Sequence, residues 1–286
     1  MDNRKMHGLL TASELFSSTP ISLGHLMNDA FLILTQLDWG FILVGLVSVF
    51  ITGVSKSGLG GGLGQLSVPI LVFWVSPFEA VAILLPILCI IDLANLWNYR
   101  RDWSWAHLAI LIPGALLGIG LGALTFHAVD ENILKIILGS LMVVFAATFF
   151  LPTRQVKLSQ GYETIWGVFC GGLAGFTSFI AHAGGGPVKM YLLPKRLSVR
   201  NFMGTSVYFF FAINQLKIWP YFWLGQFTPQ SVVSSFILLP AIPLGVWVGW
   251  RLVDRINPEL FYKICYGLLF FAGIGIINSG ISTFLQ

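Results

Sequence analysis

The chain has 286 residues, of which 56% are hydrophobic and only 10% charged, and its mean hydropathy is +0.82. A soluble domain carries roughly 25% charged residues, so this chain lacks the polar side chains to cover a globule; that excludes a soluble enzyme, a nucleic-acid-binding domain and a disordered chain. Its net charge of +4 reports loop orientation in a membrane protein rather than a polyanionic partner. Cys89, Cys170 and Cys265 each stand alone in an apolar run and read as small core residues.

Met1 to Pro20 is polar and mixed in charge, without the apolar stretch of a cleaved signal peptide. Residues 21–37 carry His25, Asn28 and Asp29 among leucines, which predicts an interfacial amphipathic helix; the i,i+4 pair His25 and Asp29 is too few ligands for a metal. From residue 39 onward the chain is a series of apolar segments near the ~20 residues that a bilayer crossing needs. Full spans are expected over 77–99, 105–127, 131–151, 200–224, 229–252 and 259–282. Two further segments, 39–74 and 164–194, are apolar but interrupted by glycine runs. Backbone polar groups in lipid must be bonded internally, so the spans must be helices and the interruptions must be buried in protein or line a cavity. The expected fold is therefore an all-α integral membrane protein.

The chain repeats itself. Gly60-Gly61-Gly62 returns as Gly184-Gly185-Gly186, Pro113/Gly118/Gly122 as Pro240/Gly245/Gly249, and Glu131/Lys135/Ile136/Gly139 as Glu259/Lys263/Ile264/Gly267. The order is kept and the three offsets differ by about one helical turn, which marks two half-domains rather than a solenoid. The expected organisation is an N-terminal segment 1–38, a first repeat 39–152, a linker 153–163 and a second repeat 164–286. Each repeat is a glycine-interrupted hairpin followed by three spans.

The basic residues Arg100, Arg101, Arg154, Lys157, Lys195, Arg196, Arg200, Arg251 and Arg255 fall in alternate loops, while the loops around 76–79, 127–130 and 224–228 hold no Lys or Arg. Placing the basic loops in the cytoplasm fits the crossing parity only if each interrupted segment enters and leaves on one side. The two repeats are then inverted and the C-terminus lies outside.

The first interruption runs from Thr52 through Ser55, Lys56, Ser57 and the triplet to Pro69; the second runs from Thr177 through Ser178, His182 and the triplet to Pro194. Glycine runs abandon the helix and let backbone approach a ligand. Pro187 suits the first turn of a restarting helix, whose N-terminus is a ready anion site. Lys56, Lys189 and Lys217 fall within apolar sequence, where a charge costs at least ~2.5–3.5 kcal/mol and faces a cavity or a partner. Together these residues favour a small oxyanion as ligand. The candidate binding set is Lys56, Ser57, Gly60, Gly61, Gly62, Ser178, His182, Gly184, Gly185, Gly186 and Lys189.

A glycine triplet in a segment that closes at a proline, repeated in the second half of the chain, resembles the sulfite exporter TauE/SafE family of membrane permeases over residues 39–282. The resemblance implies a multi-pass protein of the bacterial inner membrane that exports sulfite or small organosulfonates, or takes up related sulfur anions. It implies no cofactor and no nucleic-acid partner. Thr177-Ser178-Phe179-Ile180-Ala181-His182 departs from the glycine-rich residues usual before the second triplet.

Plainer readings stand beside these. Pro113/Gly118/Gly122 and their copies have the spacing of helix packing. Lys189 is near a cytoplasmic loop and Lys217 precedes the aromatic belt Trp219-Pro220-Tyr221-Phe222-Trp223, so both are candidates for snorkelling. Asp92 is the carboxylate deepest in a span, with Asn95 on the same face, and it occupies nearly the position of Lys217 in the other half; it is a candidate for proton coupling or for a charge pair with Lys217. The hydroxyls of Thr205 and Ser206 fit back-bonding within their helix. Ser178 and His182 at i,i+4 suggest a nucleophile and base, but no G-x-S-x-G or third group accompanies them, so an enzyme is not expected. A cation carrier using unwound carbonyls and Asp92 is the alternative function, and three lysines against one aspartate disfavour it.

Overall fold

The computed structural model describes residues 38–58, 67–126, 130–150, 160–195 and 197–252, and 267–282 in part. The amphipathic helix expected over 21–37, the triplet Gly60-Gly61-Gly62, most of the linker 153–163 and the pair Glu259 and Lys263 lie outside the described residues. Those described are helical or in turns, and no strand occurs among them.

The elements are α1 (Trp39–Gly58), α2 (Ser67–Leu71), α3 (Pro77–Asn98), α4 (Trp105–Phe126), α5 (Glu131–Phe150), α6 (Gln160–Ala181), α7 (Gly185–Leu192) with a 3-10 turn at Leu193–Lys195, α8 (Val199–Trp223), α9 (Pro229–Leu238) and α10 (Ala241–Leu252). Their starts follow from local chemistry. Ser76 accepts a hydrogen bond from the Glu79 amide with Pro77 at the first position of α3, and Thr228 accepts from the Ser231 amide with Pro229 opening α9. Four helices among the described residues are long and apolar enough to cross a membrane: Trp39–Gly58, Pro77–Asn98, Trp105–Phe126 and Gly161–Ala181. The segment expected as a span over 229–252 passes as one apolar crossing only when its two parts are taken together across a break. It is two helices bent by 48°, because Pro240 follows α9 and cannot donate to its hydrogen-bond ladder. Its copy Pro113 lies inside unbroken α4.

Both interrupted segments double back. Trp74 lies against Gly40, its indole nitrogen 3.3 Å from where a β-carbon on that glycine would stand. The arm α2 is tied to α1 by the Ser48 hydroxyl, which donates to the Ser67 carbonyl at 3.3 Å, and by a bond between the Thr52 and Ser67 hydroxyls. The second hairpin closes by an ion pair of Lys195 with Glu163 in the first turn of α6. Its mouth also meets the start of α4, where His107 Nδ1 lies 3.2 Å from the Tyr191 hydroxyl. The first hairpin thus opens beside the start of α3, and the second opens beyond the far end of that ~33 Å helix.

The packing is reciprocal. Helix α1 packs most extensively on α10, and α6 on α4. Glycines make these contacts at backbone distance: a β-carbon on Gly58 would lie 2.5 Å from the Gly249 carbonyl and one on Gly245 2.6 Å from the Phe50 carbonyl, while Gly118 abuts Gly172 and Gly114 abuts Val168. The packing role expected for the Pro113 and Pro240 motifs is the one they have. Helices α3 and α8 pack together at the centre.

Candidate functional site

Helix α6 ends at Ala181. His182 follows at φ +51, the one non-glycine residue with positive φ among those described, and such a conformation is uncommon for a side chain with a β-carbon. Ala183 and Gly184 complete the break, and α7 restarts at Gly185 with Pro187 in its first turn. Lys56 sits in the last turn of α1, where a cation complements the helix dipole. The last turn of α1 and the break of the second interrupted segment meet at a cavity of about 20 Å³, room for little more than one water. Lys56, Ser178, His182, Gly185 and Asn214 line it with the apolar Leu88 and Phe210.

Two buried groups of charge lie around this cavity. In the first, Lys56 Nζ is 2.5 Å from Asp92 Oδ1 and 5.4 Å from the centre of the Phe210 ring. The Asn214 amide donates to Asp92 Oδ2 at 2.6 Å. In the second, Lys217 Nζ donates to the Ser178 carbonyl and to Ser178 Oγ, both at 3.0 Å, and lies 2.9 Å from His182 Nδ1. An ammonium has no lone pair, so Nδ1 must accept and Nε2 must carry the ring proton. Nε2–H then donates to the Val81 carbonyl at 2.9 Å, which fixes the imidazole as neutral and spans the break to α3. All three protons of Lys217 therefore meet neutral acceptors. With Asp92 paired to Lys56, Lys217 is left facing neutral partners only.

Aromatic rings close the site on either side. Toward the start of α3, Phe126, Phe179 and Tyr221 pack edge to face or tilted, and the Tyr221 hydroxyl donates to the Phe179 carbonyl at 2.5 Å. Toward the loop of Arg100 and Arg101, the Tyr99 hydroxyl donates to the Ser57 carbonyl at 2.8 Å, and the Arg200 guanidinium stands 5.8 Å from the centre of its ring. Arg200 is in turn bound to Asp102 at 2.8 Å.

The structure brings Lys56, Ser178, His182, Gly185, Asp92 and Lys217 of the expected set together. It corrects two assignments. The Asp92 carboxylate pairs with Lys56 rather than with Lys217, and Lys217 is fully buried rather than snorkelling to the aromatic belt. Ser178 and His182 both face Lys217 instead of forming a nucleophile–base pair. Lys189 is half-buried in the return arm α7, outside the residues that line the cavity, while Ser57, Gly184 and Gly186 flank it in sequence. Asn214 and Tyr221 were missed, although Asn214, Lys217 and Tyr221 share one face of α8 by their i, i+3, i+7 spacing.

A bundle of apolar helices with charges sealed between two returning hairpins defines a polytopic membrane protein of the transporter type. The chain belongs to the sulfite exporter TauE/SafE family, whose model matches residues 43–276. Comparison with curated proteins and with solved structures gives no significant match.

Proposed function

We propose that the protein is a secondary transporter that exports sulfite or a small organosulfonate across the inner membrane by alternating access. The observation that carries this reading is Lys217, buried beside the cavity with three hydrogen-bond acceptors of which none is charged; protonated, it brings a positive charge that its partners do not offset. An oxyanion with several acceptor oxygens supplies the missing charge and exchanges with those acceptors, whereas a cation meets repulsion from Lys56 and Lys217. The hairpins open at opposite ends of α3 and clasp each other's glycine helices, which supports two repeats of inverted topology. An inside-negative potential favours anion efflux by ~2.3 kcal/mol per charge per 100 mV, so export needs no coupling ion.

The test is efflux of labelled sulfite from proteoliposomes under an imposed potential, together with melting temperatures in detergent. Sulfite efflux that accelerates with interior-negative voltage, and a melting temperature raised by sulfite or isethionate but not by Mg²⁺ or Ca²⁺, is expected. No flux of either anion, or stabilisation by the divalent cations alone, refutes the reading.

A further inference from the structure

Three buried polar atoms on helices that meet at Tyr99 stand outside the lining of the cavity. Ser57 Oγ, Asn95 Nδ2 and Ser206 Oγ are buried atoms with no hydrogen-bond partner among the described residues. Their residues are 0%, 0% and 2% exposed. They come from three helices gathered around Tyr99. The Ser57 carbonyl accepts the Tyr99 hydroxyl, Asn95 lies one turn before Tyr99 in α3 with its carbonyl accepting the Tyr99 amide at 3.0 Å, and Ser206 stands between Met203 and Val207, which pack on Tyr99.

The orientation of Asn95 is fixed by chemistry. The Trp250 indole N–H donates to Asn95 Oδ1 at 3.0 Å; an indole nitrogen only donates, so the oxygen must face it and the amide NH₂ is the end left over. The amide NH₂ only donates and each hydroxyl can donate, so the three offer donors that an oxyanion satisfies, while the NH₂ disfavours a metal cation. Burying three such groups unpaired is unfavourable, and apolar residues would have packed the same helices without that cost.

We infer that Ser57, Asn95 and Ser206 form a second oxyanion site, a waypoint between the Lys56 cavity and the face that carries Arg100 and Arg101, closed by Tyr99. This rests on the reading of the protein as an anion transporter. Being neutral, the waypoint holds the anion weakly, so that it passes on instead of being trapped beside Lys56.

The experiment compares the parent with the S57A/S206A double variant for labelled sulfite flux in proteoliposomes and for melting temperature without sulfite. Because the removed hydroxyls have no partners, the expected melting temperature is equal to or above that of the parent. Flux at subsaturating sulfite should fall about tenfold or more, as loss of hydrogen bonds to a charged ligand implies. If the parent itself carries no sulfite, the transporter reading fails first. If the parent carries it and the variant matches its flux, the waypoint is overturned. It is overturned equally if the variant melts several degrees lower or does not fold, since the hydroxyls are then structural; the single variants S57A and S206A apply the same criterion one atom at a time.

Discussion

Replacing Asp92 by Asn tests the buried charge arrangement directly. Asp92 is fully buried and offers Oδ1 to Lys56 and Oδ2 to the Asn214 amide. In Asp92→Asn one oxygen is left for two donors, and the Lys56 ammonium, 5% exposed, loses its counter-charge while Lys217 still repels it. Removing one partner of a buried pair costs about 3–5 kcal/mol, and for a chain of this size that lowers the melting temperature by about 10 °C. Replacing both partners by apolar residues of similar volume removes the stranded charge, so Lys56→Met with Asp92→Leu should melt well above either single variant. Thermal unfolding of the four proteins gives the coupling energy as a double-mutant cycle. The transport signature is separate: the site of Asp92→Asn carries one more positive charge, so sulfite should bind more tightly and leave more slowly, lowering KM and kcat together. A variant that melts within about 2 °C of the parent, or a double variant as unstable as Asp92→Asn, refutes the pairing.

Lys217→Met removes the ammonium that donates to Ser178 and His182; sulfite flux should drop at least a hundredfold, as expected for losing about 3 kcal/mol of charge-assisted binding, and the melting-temperature rise with sulfite should vanish. Gly118→Ala places a methyl against the Gly172 carbonyl, so α4 and α6 must separate; the expected loss is about 1–3 kcal/mol in thermal unfolding. Gly120→Ala, with nothing within 4 Å of the added carbon, is the control and should keep or raise stability, by up to about 1 kcal/mol from helix propensity.

The spans over 77–99 and 105–127 and the apolar helices of the interrupted segments were legible because they are written in one dimension. Apolar runs set the helices, while Ser76-Pro77, Thr228-Pro229 and the break before Gly185 punctuate them. The doubling back of the interrupted segments was likewise implied by where the arginines and lysines fall. What escaped is the part decided when the hairpins meet. Asp92 and Lys217 match in sequence position, but the last turn of α1 delivers Lys56 to the carboxylate, and the break after α6 draws Lys217 to Ser178 and His182. Trp219 to Trp223 suggested an interface beside Lys217; the helix instead turns Lys217 and Tyr221 inward while Trp219, Phe222 and Trp223 stay exposed. No local signal announces that His182 takes a left-handed backbone, because its ring is anchored by Lys217 and Val81, both remote in the chain.

The glycine clasps between α1 and α10 and between α4 and α6 redraw the mechanical map of the molecule. Sliding or parting either clasp means prising apart main chains that touch, so the stiff pieces are mixed ones, each built from helices on both sides of the chain's midpoint. Relative motion of the helices is then easiest along the surfaces between those composite pieces, not between the first and second halves of the chain.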